Sequence, residues 1–175
     1  MTAELWRMSA TALAALIRDR QVSAREVVET HLRPIGTVNP ALNAIVIRLD
    51  EQALAAADAA DRAVAVGGEL PPLHGVPFTI KECFDLAGTP TTAGWKVLAN
   101  EYPSQDAPDV QRLKAAGAIP IGRTNLATLT VRWHCESELW GHTVNPLGRH
   151  PNARRVQRRR RGRSRRRHDA ARPRR

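Results

Sequence analysis

The 175-residue sequence predicts an α/β fold, helices packed over a small sheet, joined to a separate basic tail. Two patterns carry the fold class. Capped, amphipathic helical stretches alternate with short apolar runs rich in β-branched residues, and turn residues punctuate each change. A third observation divides the chain. Residues 1–146 hold 13 Lys+Arg against 16 Asp+Glu, whereas residues 147–175 hold 14 Arg and one Asp. The net charge of +10 therefore comes from the tail, and the body reads as a mildly acidic, Ala/Val/Leu-rich globular protein.

Each element follows from local signals. Ser9 precedes Leu13, Leu16 and Ile17 at helical spacing, which predicts an amphipathic helix over 11–20. Ser23 with Glu26 three positions on is a capping-box pattern, opening a helix with Val27, Val28 and Leu32 on its apolar face. Pro34 is expected at the end of that helix, and Asn39-Pro40 marks a turn. Residues 42–49 (LNAIVIRL) read as a strand. Residues 51–66 are Ala-rich and helical, closed by Gly67-Gly68.

Pro71-Pro72 opens a new segment, and 76–80 is an apolar run that predicts a buried strand ending at Lys81. Residues 86–94 (LAGTPTTAG) are a loop dense in turn residues, and 109–116 form a helix stopped by Gly117. A second core strand is predicted over 118–122 (AIPIG), and 124–129 begins the next segment. No internal repeat is present.

Several function classes drop out. Cys83 and Cys135 have neither metal-ligand spacing nor a disulfide-framework pattern, so a reducing compartment is expected. His74, His134 and His142 show no metal spacing either, and neither metal nor cofactor is expected. Cys135 is a nucleophile only with a paired base, and no residue nominates one. The N-terminal stretch carries Glu4 and Arg7 and lacks the apolar core of a signal peptide. No run approaches the roughly 18 apolar residues of a spanning helix. The expectation is a cytoplasmic protein with no membrane partner.

Two stretches carry a resemblance. The first is 73–82 (LHGVPFTIKE) followed by 87–94 (AGTPTTAG); the second runs from 106–108 (DAP) through 113–125 (LKAAGAIPIGRTN). With Asn39-Pro40-x-Leu42-Asn43-Ala44 ahead of them, in that order and at that separation, they resemble the amidase signature family. The resemblance covers about residues 5–146. It implies the N-terminal portion of that family's fold, helices plus the first strands of a mixed sheet. It also implies hydrolysis of small-molecule carboxamides, or ammonia transfer from them, by a Ser–cis-Ser–Lys triad.

The matching lysine is Lys81. The chemistry stands by itself: a lysine at the end of a buried apolar strand loses solvation, which favours the neutral amine. A neutral amine takes a proton from a serine hydroxyl, and that serine activates the nucleophile that forms an acyl-enzyme. A strand-end lysine that snorkels to solvent is the competing reading, which the motif outweighs.

Thr91, Thr92 and Gly94 are candidates for the active-site wall, although a turn explains them equally well. Glu82 and Cys83 stand where many relatives have an Asp-Asn pair, and Asn125 is expected to tie down a loop. The segment after Asn125 lacks the Gly-Ser-Ser signal of the A component of tRNA-dependent amidotransferases. A stand-alone hydrolase is the nearer resemblance, and an amidotransferase component of the A type is the alternative within the family.

The family pattern then stops. A Gly-Gly-Ser-Ser-Gly-Gly stretch is expected soon after Asn145-Pro146, but Arg154-Arg155-Val156-Gln157-Arg158-Arg159 stands there. Residues 154–160 can be written CGG CGG GTC CAG CGG CGG CGN, which one base later reads Gly-Gly-Ser-Ser-Gly-Gly. The same shift permits Arg-Thr-Pro from 151–153 and Met-Thr-Pro from 168–170, as the family carries there. Residues 147–175 are therefore expected to be an out-of-frame translation, leaving a truncated amidase with no nucleophilic serine and no activity on simple amides. The competing reading makes the tail a disordered arm that binds nucleic acid without sequence preference through its arginines. Apolar faces of residues 5–146 lacking part of their cover predict poor solubility or marginal stability for this chain expressed alone.

Overall fold

A computed structural model describes residues 2–148. Residues up to Thr143 form one compact unit, and a second begins at Val144, described as far as a 3-10 turn at Pro146–Gly148. The disorder and nucleic-acid binding expected of residues 147–175 fall, from residue 149 on, outside the described residues.

Helix α1 (Ala10–Arg18) starts where Ser9 accepts a hydrogen bond from the Ala12 N–H, leaving its Leu13, Ala14 and Ile17 face buried. Helix α2 (Ala24–Leu42) has the capping box expected of Ser23 and Glu26. A neighbour strengthens that terminus: the Asp61 carboxylate accepts from the N–H groups of Ala24 (2.6 Å) and Arg25 (3.1 Å). The end expected at Pro34 and the turn expected at Asn39-Pro40 are corrected, because both prolines lie inside α2. Each removes one backbone donor without ending the helix. The stop comes instead at Asn43, in the left-handed conformation. Asn39 fixes this exit by accepting from the N–H groups of Ala44 and Ile45 and donating to the Ile45 carbonyl.

Because α2 runs to Leu42, strand β1 is shorter than predicted, Ile45–Arg48. Helix α3 (Asp50–Val66) follows, with Asp50 and Glu51 at its positive end and Gly67 at its close. Ala53 and Ala57 are its fully buried residues, and Leu54, Ala60 and Val64 pack beside them against the same core. Strand β2 (Pro77–Lys81), helix α4 (Pro108–Ala115) and strand β3 (Ile119–Thr124) complete the frame. Gly117, at φ +89°, ends α4 where a Cβ would lie 2.8 Å from the His74 Cα.

The sheet has the order β1-β3-β2, with β1 antiparallel and β2 parallel to the central β3. Ile119 and Ile121 pack into a cluster with Leu13, Ile17, Val27 and Val28 of the helices. Ile80 joins a second cluster with Leu49, Leu86 and Val110 of α4. Between Phe78 and Thr79 the β2 register skips Ile121, a one-residue bulge in β3. That extra residue shifts the alternation of side chains. Arg123 is consequently in register with Ile80, not aligned with the Ile119/Ile121 set.

Candidate active site

Strands β2 and β3 are parallel, so their carboxyl ends lie side by side and Lys81 is in register with Thr124. The buried strand end expected for Lys81 is corrected. Of the five β2 residues only Ile80 is buried, and the Lys81 side chain is exposed. Among the described residues its ammonium has no hydrogen-bond or ion-pair partner. The burial on which the argument for a neutral amine rests is therefore absent from the Lys81 side chain.

The next residue turns the other way. Glu82 is fully buried, and its carboxylate accepts from the backbone N–H groups of Thr92 (2.7 Å) and Gly94 (3.3 Å). Fully buried Arg123 approaches the same turn from β3. Its guanidinium donates to the main-chain carbonyls of Glu82 (2.8 Å), Phe84 (2.6 Å) and Pro90, and to the hydroxyls of Thr89 (2.6 Å) and Thr91 (3.3 Å). Burial lowers its affinity for a proton below the ordinary arginine value, and the charges of Glu82, Asp85 and Cys83 work in the opposite direction.

Three candidate wall residues thus sit in one loop, held from two sides. Thr91 is half-buried, its N–H on the Glu101 carbonyl at 2.9 Å. Thr92 is fully buried, and its hydroxyl accepts from the Gly94 N–H (3.0 Å) and the Trp140 indole N–H (3.2 Å). Gly94 has φ +70° and receives the Leu139 N–H on its carbonyl at 3.3 Å. Thr92 and Gly94 therefore face the interior, toward Glu82 and the 137–140 loop.

Asn125 does tie down a loop. Its side-chain N–H groups reach the Gly141 carbonyl (3.1 Å) and the Thr143 hydroxyl (3.0 Å), and its oxygen accepts from the Leu126 N–H. His74 is a core residue bonded to the Ala60 carbonyl at 3.0 Å. His134 and His142 are exposed, and no cluster of metal-ligating side chains occurs among the described residues. Cys135 is half-buried and in no disulfide. A recess of about 430 Å³ opens between Trp95, Leu129, Val131, Arg132 and Glu138. Lys81 does not line it, so the recess and the candidate base are separate features of the unit.

The amidase family model matches residues 26–153. The chain belongs to the amidase family. Among curated relatives, an indoleacetamide hydrolase of Bradyrhizobium diazoefficiens is 47% identical over 142 residues, 81% of this chain and 27% of that protein. The A subunit of the glutamyl-tRNA(Gln) amidotransferase of Acidothermus cellulolyticus is 41% identical over 143 residues, 82% of this chain and 28% of that protein. Among solved structures, native peptide amidase from Stenotrophomonas maltophilia superposes with a TM-score of 0.71 at 29% identity, covering 79% of this chain and 30% of that one. The chain spans between a quarter and a third of the length of these relatives.

Within this amidase-family chain, sequence reasoning locates Lys81, Thr91, Thr92, Gly94 and Asn125 but misses the residues that join them. Arg123 lies inside the diagnostic Gly-Arg-Thr-Asn run without any sign of burial, because charge patterning reads an arginine as solvated. Ser137 and Trp140 sit in a stretch with no periodic pattern. The Ser137 hydroxyl accepts from the Trp140 backbone N–H at 3.0 Å, on the residue whose indole donates to Thr92.

Proposed function

We propose that this amidase gene specifies a hydrolase of small carboxamides in which Lys81 is the general base. The reading rests chiefly on one observation: the family's lysine motif ends β2 at the carboxyl edge of a parallel strand pair, where open α/β sheets place their sites. Lys81 there has no competing partner among the described residues. In the intact enzyme, a neutral Lys81 amine takes the proton of a relay serine, which takes that of the nucleophile. The nucleophile attacks the amide carbonyl, the amine leaves with a proton, and water hydrolyses the acyl-enzyme.

The serines are to be sought in the frame that residues 147–175 obscure. The family match ends at residue 153, next to the position where the serine loop should begin and Arg154 stands. On this reading the 175-residue chain hydrolyses no simple amide, whereas a product with the frame restored near codon 146 does. Indoleacetamide is the first substrate to assay, because the Bradyrhizobium relative carries its name. The nucleotide sequence provides a separate check: the reading fails if one base along holds no Gly-Gly-Ser-Ser. An amidotransferase component of the A type is the second reading, favoured by the Acidothermus relative. Glutamine-dependent ammonia release by the frame-restored protein, with indoleacetamide untouched, selects it.

A further inference from the structure

Among the described residues Arg123 is the largest fully buried side chain, and it directs its charge onto oxygens of a single loop. Its acceptors come from two places. The carbonyls of Glu82 and Phe84 belong to the turn directly after Lys81, which is closed by the Phe84 N–H on the Lys81 carbonyl at 3.0 Å. Thr89, Pro90 and Thr91 belong to the returning arm that leads into Thr92 and Gly94. One guanidinium thus spans the loop at its base, where the N–H donors of Nη1 and Nη2, fixed in one plane, reach both arms together while the buried Nε–H has no hydrogen-bond partner. Glu82 makes the matching connection, from the residue beside Lys81 to the N–H groups of Thr92 and Gly94. The β3 bulge at Ile121 places Arg123 in register with Ile80, one residue before Lys81.

We propose that Arg123 is a positioning residue: it fixes the Lys81 turn relative to the Thr91–Gly94 segment, so that the lysine is presented from a rigid edge. It touches no substrate itself. The role rests on Lys81 being the base, yet the position of Lys81 is measurable in the chain as it stands, without turnover. Arg123→Gln removes the charge and the fork; a Thr89→Val/Thr91→Val double variant removes two acceptors and leaves the arginine.

The readout is acylation of Lys81 by a small activated ester across a pH series, with Lys96 and Lys114 as internal references, plus amide exchange over 82–94. In Arg123→Gln the ratio of Lys81 to Lys114 acylation should change on the order of threefold, the scale of one net hydrogen bond. Exchange at Thr92 and Gly94 should quicken while α1–α3 stay protected, and the double variant should show a smaller change in the same direction. If both variants keep the parent's circular dichroism and the Lys81 profile superimposes on the parent's, the proposal is wrong. Should Arg123→Gln fail to fold, the double variant decides by itself. Failure of the general-base reading shows up elsewhere, as activity surviving Lys81→Ala in the frame-restored enzyme.

Discussion

Gly94 and Ser137 meet with no room for a side chain between them: a Cβ on Gly94 would lie 2.5 Å from the Ser137 Cβ. The contact joins the loop after β2 to the 137–140 loop, which also hangs on the Thr92–Trp140 hydrogen bond. Gly94→Ala combines this clash with a backbone at φ +70°, and should destabilise the unit by roughly 2–4 kcal/mol. Gly68→Ala is the control. Its φ is +111° but a Cβ there meets nothing within 4 Å, so only the backbone cost of about 1–2 kcal/mol applies. Urea unfolding of the two variants separates the terms.

Glu82→Gln keeps the shape of the buried side chain and replaces one acceptor oxygen with a donor. That donor faces backbone N–H groups of Thr92 or Gly94, so a loss of about 1–3 kcal/mol is expected in denaturant unfolding. An unchanged midpoint would show that the carboxylate is not the acceptor holding the loop.

Asp106 accepts from the Ala87 N–H at 2.8 Å and from the Lys114 ammonium at 2.6 Å. Burial alone would raise its proton affinity, but the Lys114 hydrogen bond and charge, with the Ala87 N–H, outweigh that and hold the carboxyl below its ordinary range. A depressed carboxyl stabilises the folded state above its unfolded value near 4 and stops doing so as pH falls through the folded value. Stability of the parent should therefore fall more steeply than that of Asp106→Asn below about pH 4. Parallel acid limbs in thermal unfolding would remove Asp106 from the account.

Lys81→Ala in the frame-restored enzyme should reduce kcat by a factor of roughly 10³ or more, as removal of a proton-transfer member of a catalytic set does. The same substitution should leave the unfolding free energy of the 175-residue chain within about 0.5 kcal/mol, since an exposed lysine with no partner among the described residues contributes little.

Trp133 is fully exposed and Val131 is 75% exposed, one residue apart beside half-exposed Leu129. An apolar patch of this kind invites association. The chain should self-associate at micromolar concentration, and a Val131→Ser/Trp133→Ser variant should run smaller by sedimentation. A parent that sediments as a monomer at all concentrations removes the patch as the cause.

The elements are legible wherever a local signal decides them. The Ser23–Glu26 box, the Ala-rich α3 and the Gly117 stop act over a few residues, and each appears where the sequence puts it. The prolines of α2 mislead because breaking propensity is a local cost, and the closing bonds of Asn39 to Ala44 and Ile45 are invisible in composition. Lys81 is found through its motif, but its solvent exposure depends on which surfaces stand opposite, and no short pattern encodes that. Arg123 shows the same limit from the other side. Five acceptors drawn from ten residues of loop stabilise a buried cation, and they are assembled only by the fold.

The bulge at Ile121 has a consequence for how this stretch tolerates genetic change. Deleting a single codon between Ile119 and Gly122 would take up the extra residue and leave Arg123 opposite Ile80, whereas inserting one would swing Arg123 toward the aliphatic side chains of α1 and α2. Substitutions in that strand are graded by size and polarity. An added residue reverses inside and outside for everything after it, so between Ile119 and Asn125 a lengthening is under tighter constraint than most of the letters that fill the stretch.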